Sequence, residues 1–129
     1  MKKTMLLDKY PINSLEIKKN ETELKDVDAF ITYFQKKIEE HPIAVPISIF
    51  DNYAHTASIN GKIDKTIKGA KIVIFCFGAK LPSSQMLSIR PRTIGITEFE
   101  ESFSIDFMDA PNVEFQVAME EWTTDIIKK

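Results

Sequence analysis

The sequence predicts an α+β fold: a two-layer sandwich with a mostly antiparallel sheet of four to five strands and two long helices packed on one sheet face. Three observations predict it. Val27, Ile31, Phe34 and Ile38, with Phe30 beside them, recur at helical spacing. Phe115, Met119, Trp122 and Ile126 do the same near the end of the chain. Between the two lie apolar runs and alternations of strand length, among them Ala70 to Phe77 and Phe103 to Phe107.

Taken in order, Ser14 to Lys18 alternates in strand fashion. Asn20 and Thr22 then offer capping oxygens, and Glu23, Asp26 and Asp28 suit the positive end of a helix running from about Glu23 to Glu40. His41 sits at its end, in a structural or solvated role, and Pro42 stops it. Residues 43–50 alternate as a half-buried strand, and Pro46, which lacks a backbone donor, points to an edge or a bulge.

Ile59, Ile63 and Ile67 fall at intervals of four and suggest a short helix over 56–66, weakened by Gly61. From Ala70 to Phe77 only Lys71 carries charge, which predicts a central strand buried on both faces. Residues 92–97 form a short strand broken at Gly95, and Phe103, Ile105 and Phe107 mark a strand with one wet face. Asp109-Ala-Pro111 is a helix entrance with Pro111 in the first turn, and Lys128 and Lys129 suit the negative end of that terminal helix. A sheet face left bare by the helices would be buried most simply in a homodimer.

Composition narrows the function classes. With 129 residues, 43 % hydrophobic and 28 % charged, residues 1–129 read as a single ordered domain. A net charge of −2 supplies no electrostatic footprint for nucleic acid or an anionic membrane. Arg90-Pro-Arg92 is the one basic cluster, read first as solvated ends or local salt bridges and second as a phosphate contact. Cys76 is the only cysteine, which excludes an intrachain disulfide and a Cys-rich metal site. The opening MKKTMLLDKYP is too short in apolar residues for a signal peptide, and no run reaches membrane-spanning length, so the expected location is cytoplasmic.

No sequence motif names a reaction. HExxH, HxH, GxSxG and the P-loop pattern are all absent, so no metal is expected and no nucleophile or cofactor is assigned. His55 follows a strand and enters an irregular segment, and an imidazole there would suit acid/base or ligand-binding work. The abrupt end of the apolar run at Phe77-Gly78, followed by Lys80, Ser83, Ser84 and Met86, marks a candidate ligand pocket. Its backbone donors and Lys80 suit a carboxylate or phosphate.

The order of these pieces carries a family resemblance. It rests on His55-Thr56-Ala57, the run Ile72 to Gly78, Ser83-Ser84, Met86-Leu87 and the strand Phe103 to Phe107. Over about residues 24 to 111 the chain resembles the small bacterial α+β domain of unknown function numbered 302 in its series. Ala79-Lys80-Leu81 stands where that family has Asn-Pro-Lys, Ser83-Ser84 replaces Gly-Thr, and Glu98-Phe99 replaces Leu-Pro. The resemblance implies the fold and a homodimer, and no activity.

Three readings of function result. The first is a dimeric small-ligand-binding or interaction domain, with a pocket formed by His55, Phe77, Gly78, Lys80, Ser83, Ser84 and Met86. The second is an enzyme in which His55 is the acid/base and a Ser or Lys of the 78–84 loop is its partner. The third is a haem-binding module with His55 and Met86 as axial ligands.

Overall fold

The computed structural model describes residues 1–129. Six strands run Lys2–Leu6 (β1), Tyr10–Lys18 (β2), Val45–Asp51 (β3), Gly69–Cys76 (β4), Arg92–Glu98 (β5) and Ser102–Met108 (β6). They form one antiparallel sheet in the order β1-β2-β6-β5-β4-β3. Three helices accompany it: Val27–Glu40 (α1), Asn52–Ser58 (α2) and Val113–Thr124 (α3).

The α+β class stands, with two corrections of detail. The sheet has six strands rather than four to five, and a third, short helix joins the two long ones. The extra strand is β1. Its five residues are all exposed, so no buried face imprints a period on the sequence, and the backbone ladder to β2 and an ion pair from Lys3 to Asp109 hold it. The turn between them passes through Leu7 and Asp8 at φ 54° and 57°. That left-handed geometry is one for which Asn and Gly are the usual sequence signals.

The core lies between the sheet and the two long helices. Val73 and Phe75 on β4, Ile94 and Ile96 on β5, and Phe103, Ile105 and Phe107 on β6 are buried on one sheet face. Phe30, Ile31, Phe34 and Ile38 of α1 and Met119 and Trp122 of α3 complete the same cluster. Each fully buried side chain of this size contributes roughly 1.5–3 kcal/mol relative to exposure, which makes this cluster the main source of stability. The Asp26 side chain accepts from the Ala29 N–H at 2.7 Å and sets the start of α1.

β4 departs from the expected central strand. It lies second from the edge, between β5 and β3, and its burial is one-sided. Val73 and Phe75 are sealed, whereas Ile72, Ile74 and Cys76 remain half-buried on the face away from α1 and α3. Lys71 reaches the rim, where its ammonium lies 2.6 Å from Asp28 at the start of α1. Pro46 sits where its missing donor predicts, on an edge strand beside a register shift between Pro46 and Ser48. Gly95 does not interrupt β5, which pairs continuously with β4 from Arg92 to Glu98.

The predicted short helix over 56–66 lies earlier, as α2, because Asp51 accepts from the Ala54 N–H at 2.8 Å and starts it directly after β3. The terminal helix begins two residues beyond Pro111, with Asn112 as its cap. The preceding backbone is committed elsewhere: Asp109 N–H donates to Pro11 O and Ala110 N–H to Gln116 Oε1. No helix is long and apolar enough to cross a membrane.

Candidate functional site

β4 ends in Cys76, and the chain then leaves the sheet through Phe77 and Gly78 into a loop that returns as β5. This loop, the 41–44 turn and the first turn of α3 border a cavity of about 480 Å³ that is open to solvent. The volume lies within the range of small-molecule sites, which run to roughly 300–1,000 Å³.

One wall of the cavity is aromatic. Phe77 and Phe115 of α3 stack with centroids 4.1 Å apart and planes within 2° of parallel. Trp122 backs Phe77 at 6.0 Å, and Phe75 lies 5.5 Å from Phe77. His41 meets this cluster edge-on, 5.2 Å from Phe77. Its Nδ1 accepts from the backbone N–H groups of Ile43 and Ala44 at 3.1 and 3.2 Å. The structural role expected for His41 is therefore specific: it closes α1 and fixes the turn that places Ile43 in the cavity wall.

The opposite wall is the 78–91 loop. Gly78 N–H donates to the Cys76 sulfur at 3.3 Å, and a Cβ on Gly78 would meet that sulfur at 3.2 Å. Ser84–Ile89 forms a short 3-10 helix that turns Met86 and Ile89 to the cavity. The Arg90 guanidinium donates to the Lys80 carbonyl at 2.6 Å and clips the two ends of the loop together. The Arg90–Pro91 peptide bond is cis.

Arg92 carries the polar character of the floor. It opposes Phe75 in register and so shares the helix-covered face of the sheet. Its guanidinium donates to the Met108 carbonyl, and its Nε is buried without a hydrogen-bond partner. Burial lowers the pKa of this guanidinium, against an opposing influence of nearby Asp109.

Beyond Arg92 a polar network anchors α3. Asn13, buried on β2, donates to Asp109 Oδ1 at 2.7 Å and to the Phe107 carbonyl at 3.4 Å, and accepts from Gln116 Nε2 at 3.2 Å. Lys3 reaches Asp109 at 3.1 Å. Burial raises the pKa of Asp109, but hydrogen bonds from Asn13 and Lys3 and the charges of Lys3 and Arg92 together outweigh it, leaving a net lowering.

The residues singled out in the sequence separate into two groups. Phe77, Gly78, Lys80 and Met86 line the cavity. Ser83 and Ser84 belong to the same loop but are exposed and outside the lining. His55 lies elsewhere. It is exposed on α2, with its ring 5.5 Å from that of Phe50. Phe50 pairs with Ile72, near the start of β4, whereas the cavity opens past the end of that strand. From Ile72 to Phe77 the strand direction advances by about 16 Å at roughly 3.3 Å per residue.

Sequence reasoning missed Ile43, Arg92 and Phe115 as cavity residues, and Asn13 and Gln116 as the support behind them. The Arg90-Pro-Arg92 cluster was the one signal at hand. No three His, Cys, Asp or Glu side chains converge in a metal-ligating group.

Comparison with known proteins adds a family and no activity. No curated protein matches the chain. The match to a family model spans residues 1–128, wider than the resemblance over about residues 24 to 111, and it is to a differently numbered group than 302. What carries over from the resemblance is the coarser statement, a family whose function is unknown. On this match the chain belongs to the family of unknown function DUF6858.

Proposed function

We propose that this protein is a non-enzymatic small-ligand-binding domain that works as a homodimer in the cytoplasm. The cavity at the end of β4 carries the ligand part of this reading. It is walled by stacked aromatics on one side and by a clipped loop on the other, and half of its sixteen lining residues are hydrophobic. An apolar site with a few convergent polar groups is what a small organic ligand requires. The acid/base reading needs His55 beside the 78–84 loop, and the haem reading needs it beside Met86; α2 sits at the other end of β4 and supports neither.

The dimer part rests on β3. Val45 and Ile47 each keep more than half their surface in solvent, and Ile49 and Phe50 are also exposed. The other edge, β1, opens with Lys2 and Lys3, charges that discourage pairing, whereas β3 carries none before Asp51. Two copies related by a two-fold axis would set β3 against β3 antiparallel, an isologous contact. The shift at Pro46–Ser48 interrupts its ladder, so apolar side chains would supply most of that contact.

Thermal-shift titration of the purified protein with a metabolite panel tests the ligand part. At least one compound should raise Tm, because a ligand that binds only the folded state stabilises it by mass action. A panel that moves neither Tm nor Trp122 fluorescence overturns it. Sedimentation velocity tests the dimer part. A species of 14.8 kDa at every concentration overturns that half and leaves the cavity reading untouched.

A further inference from the structure

We propose that the cavity at the end of β4 takes a small organic acid, one carboxylate on a flat or aliphatic apolar body. This inference rests on the ligand-binding reading and adds the chemistry of the ligand. It is carried by the way charge and apolar surface are divided within one cavity.

Lys80, Arg90 and Arg92 line the cavity together with a single acidic residue, Glu114. Three cations against one anion leave the lining with a surplus of two positive charges, in a chain whose net charge is −2. The cations therefore concentrate here against the trend of the molecule. An anion entering the cavity meets a favourable field, and a cation meets an unfavourable one.

Arg92 is the one of the three with a buried donor left unpaired. A guanidinium offers five N–H donors in a planar fork, and the Met108 carbonyl is the only acceptor that Arg92 meets. Its Nε is sealed from solvent with no partner. A ligand in the cavity does not reach that sealed atom; the Arg92 Nη1 amine, neither hydrogen-bonded nor sealed, is the donor left for one, and a carboxylate is the acceptor that fits a guanidinium best. Asp109 does not fill this role, since its hydrogen bonds are with Asn13 and Lys3. The first turn of α3 adds to the same field, because no acceptor within the protein takes the Val113 or Phe115 backbone N–H.

The rest of the cavity selects the body of the ligand. Phe77 and Phe115 offer a stacked aromatic wall, faced by Met86 and Ile89, a pairing suited to a ring or a short alkyl chain. A compact, heavily hydrated anion such as inorganic phosphate would leave this surface unused. A single carboxylate with an apolar body uses both parts of the cavity.

Isothermal calorimetry of the full chain with 3-phenylpropionate and octanoate, set against their primary amides and n-octylamine, tests the inference. The acids should bind about tenfold or more tightly than the matched amides, since hydrogen bonds to a charged group are the stronger class. The amine should not bind. Arg92→Gln should remove most of the preference for acid over amide, while Phe115→Ala should weaken acid and amide alike. Lys80→Gln, on an exposed loop residue that folding does not need, should weaken the acids by a few-fold. Amides that bind as tightly as acids overturn the anion inference and leave a ligand cavity standing. Failure of all five compounds, with a hit elsewhere in the metabolite panel, overturns it equally. Failure of the whole panel removes the ligand reading beneath it.

Discussion

Phe77 on the strand side and Phe115 on the helix side lie face to face, 4.1 Å between centroids and 2° from parallel. This stack ties the end of β4 to the first turn of α3. It also forms the boundary between the core and the cavity, because Phe77 is buried while Phe115 is only half-buried. The same pair thus belongs to the stability of the fold and to the shape of the site.

Truncating the two rings should therefore have unequal effects. Phe77→Ala should cost about 3–5 kcal/mol, the range for emptying a buried phenylalanine site. Phe115→Ala should cost less, mainly the stacking contribution of roughly 0.5–1.5 kcal/mol and a share of apolar burial. Urea denaturation followed by Trp122 fluorescence reads both. Equal losses would show that the stack does not divide core from cavity.

The Asn13–Asp109 pair should impose a pH dependence on stability. The folded pKa of Asp109 is lowered, so the ionised carboxylate stabilises the fold at pH values above its ordinary 3.8. That contribution is lost as pH falls through the lowered folded value. Asp109→Asn should therefore be less stable than wild type at pH 6, and the gap should close as the pH drops below about 3.8. Denaturation midpoints of both proteins from pH 2 to 7 check this; a gap constant with pH would assign the loss to shape and not to charge. Asn13→Ala, which removes one of the hydrogen bonds that lower the Asp109 pKa, should cost about 1–3 kcal/mol near neutral pH and less as Asp109 becomes protonated.

How far the sequence discloses this fold follows from which forces leave a period in it. α1 is legible because Val27, Ile31, Phe34 and Ile38 all face one core, and β6 because Phe103, Ile105 and Phe107 do. β1 is not, since none of its residues is buried. The cavity is legible from one side only. Phe77, Gly78, Lys80 and Met86 are contiguous with the end of an apolar strand, whereas Ile43, Arg92 and Phe115 come from elements brought together by the sheet order. His55 illustrates the converse: it follows a strand in sequence, but β3 runs antiparallel to β4 and delivers it to the far end.

His41 should matter for the site as well as for the helix end. Its Nδ1 accepts from two backbone N–H groups and its ring borders Phe77. His41→Ala should cost about 1–2 kcal/mol, the worth of one or two neutral hydrogen bonds. It should also loosen the turn that carries Ile43, weakening any cavity ligand. His41→Asn, whose side-chain oxygen also accepts, should restore part of the stability. Chemical denaturation and ligand calorimetry on the pair separate these effects; no recovery by Asn would place the loss in the ring contacts alone.

Tyr33 links α1 to α3 across the core and should set the alkaline limit of stability. Its hydroxyl donates to the Trp122 carbonyl at 2.5 Å. Burial, with a smaller effect of Asp125, pushes its pKa up to about 12 from an ordinary 10.0. Because the folded value is the higher one, the protonated phenol stabilises the fold fully below pH 10 and progressively less as pH rises toward 12. A titration followed by absorbance near 295 nm should show a late phase near pH 12 from Tyr33. Tyr33→Phe should abolish that late phase, lose about 1 kcal/mol at neutral pH for the missing hydrogen bond, and flatten the decline in stability above pH 10. A wild-type titration with no late phase lost on Tyr33→Phe, while the fold remains intact, would refute the assignment.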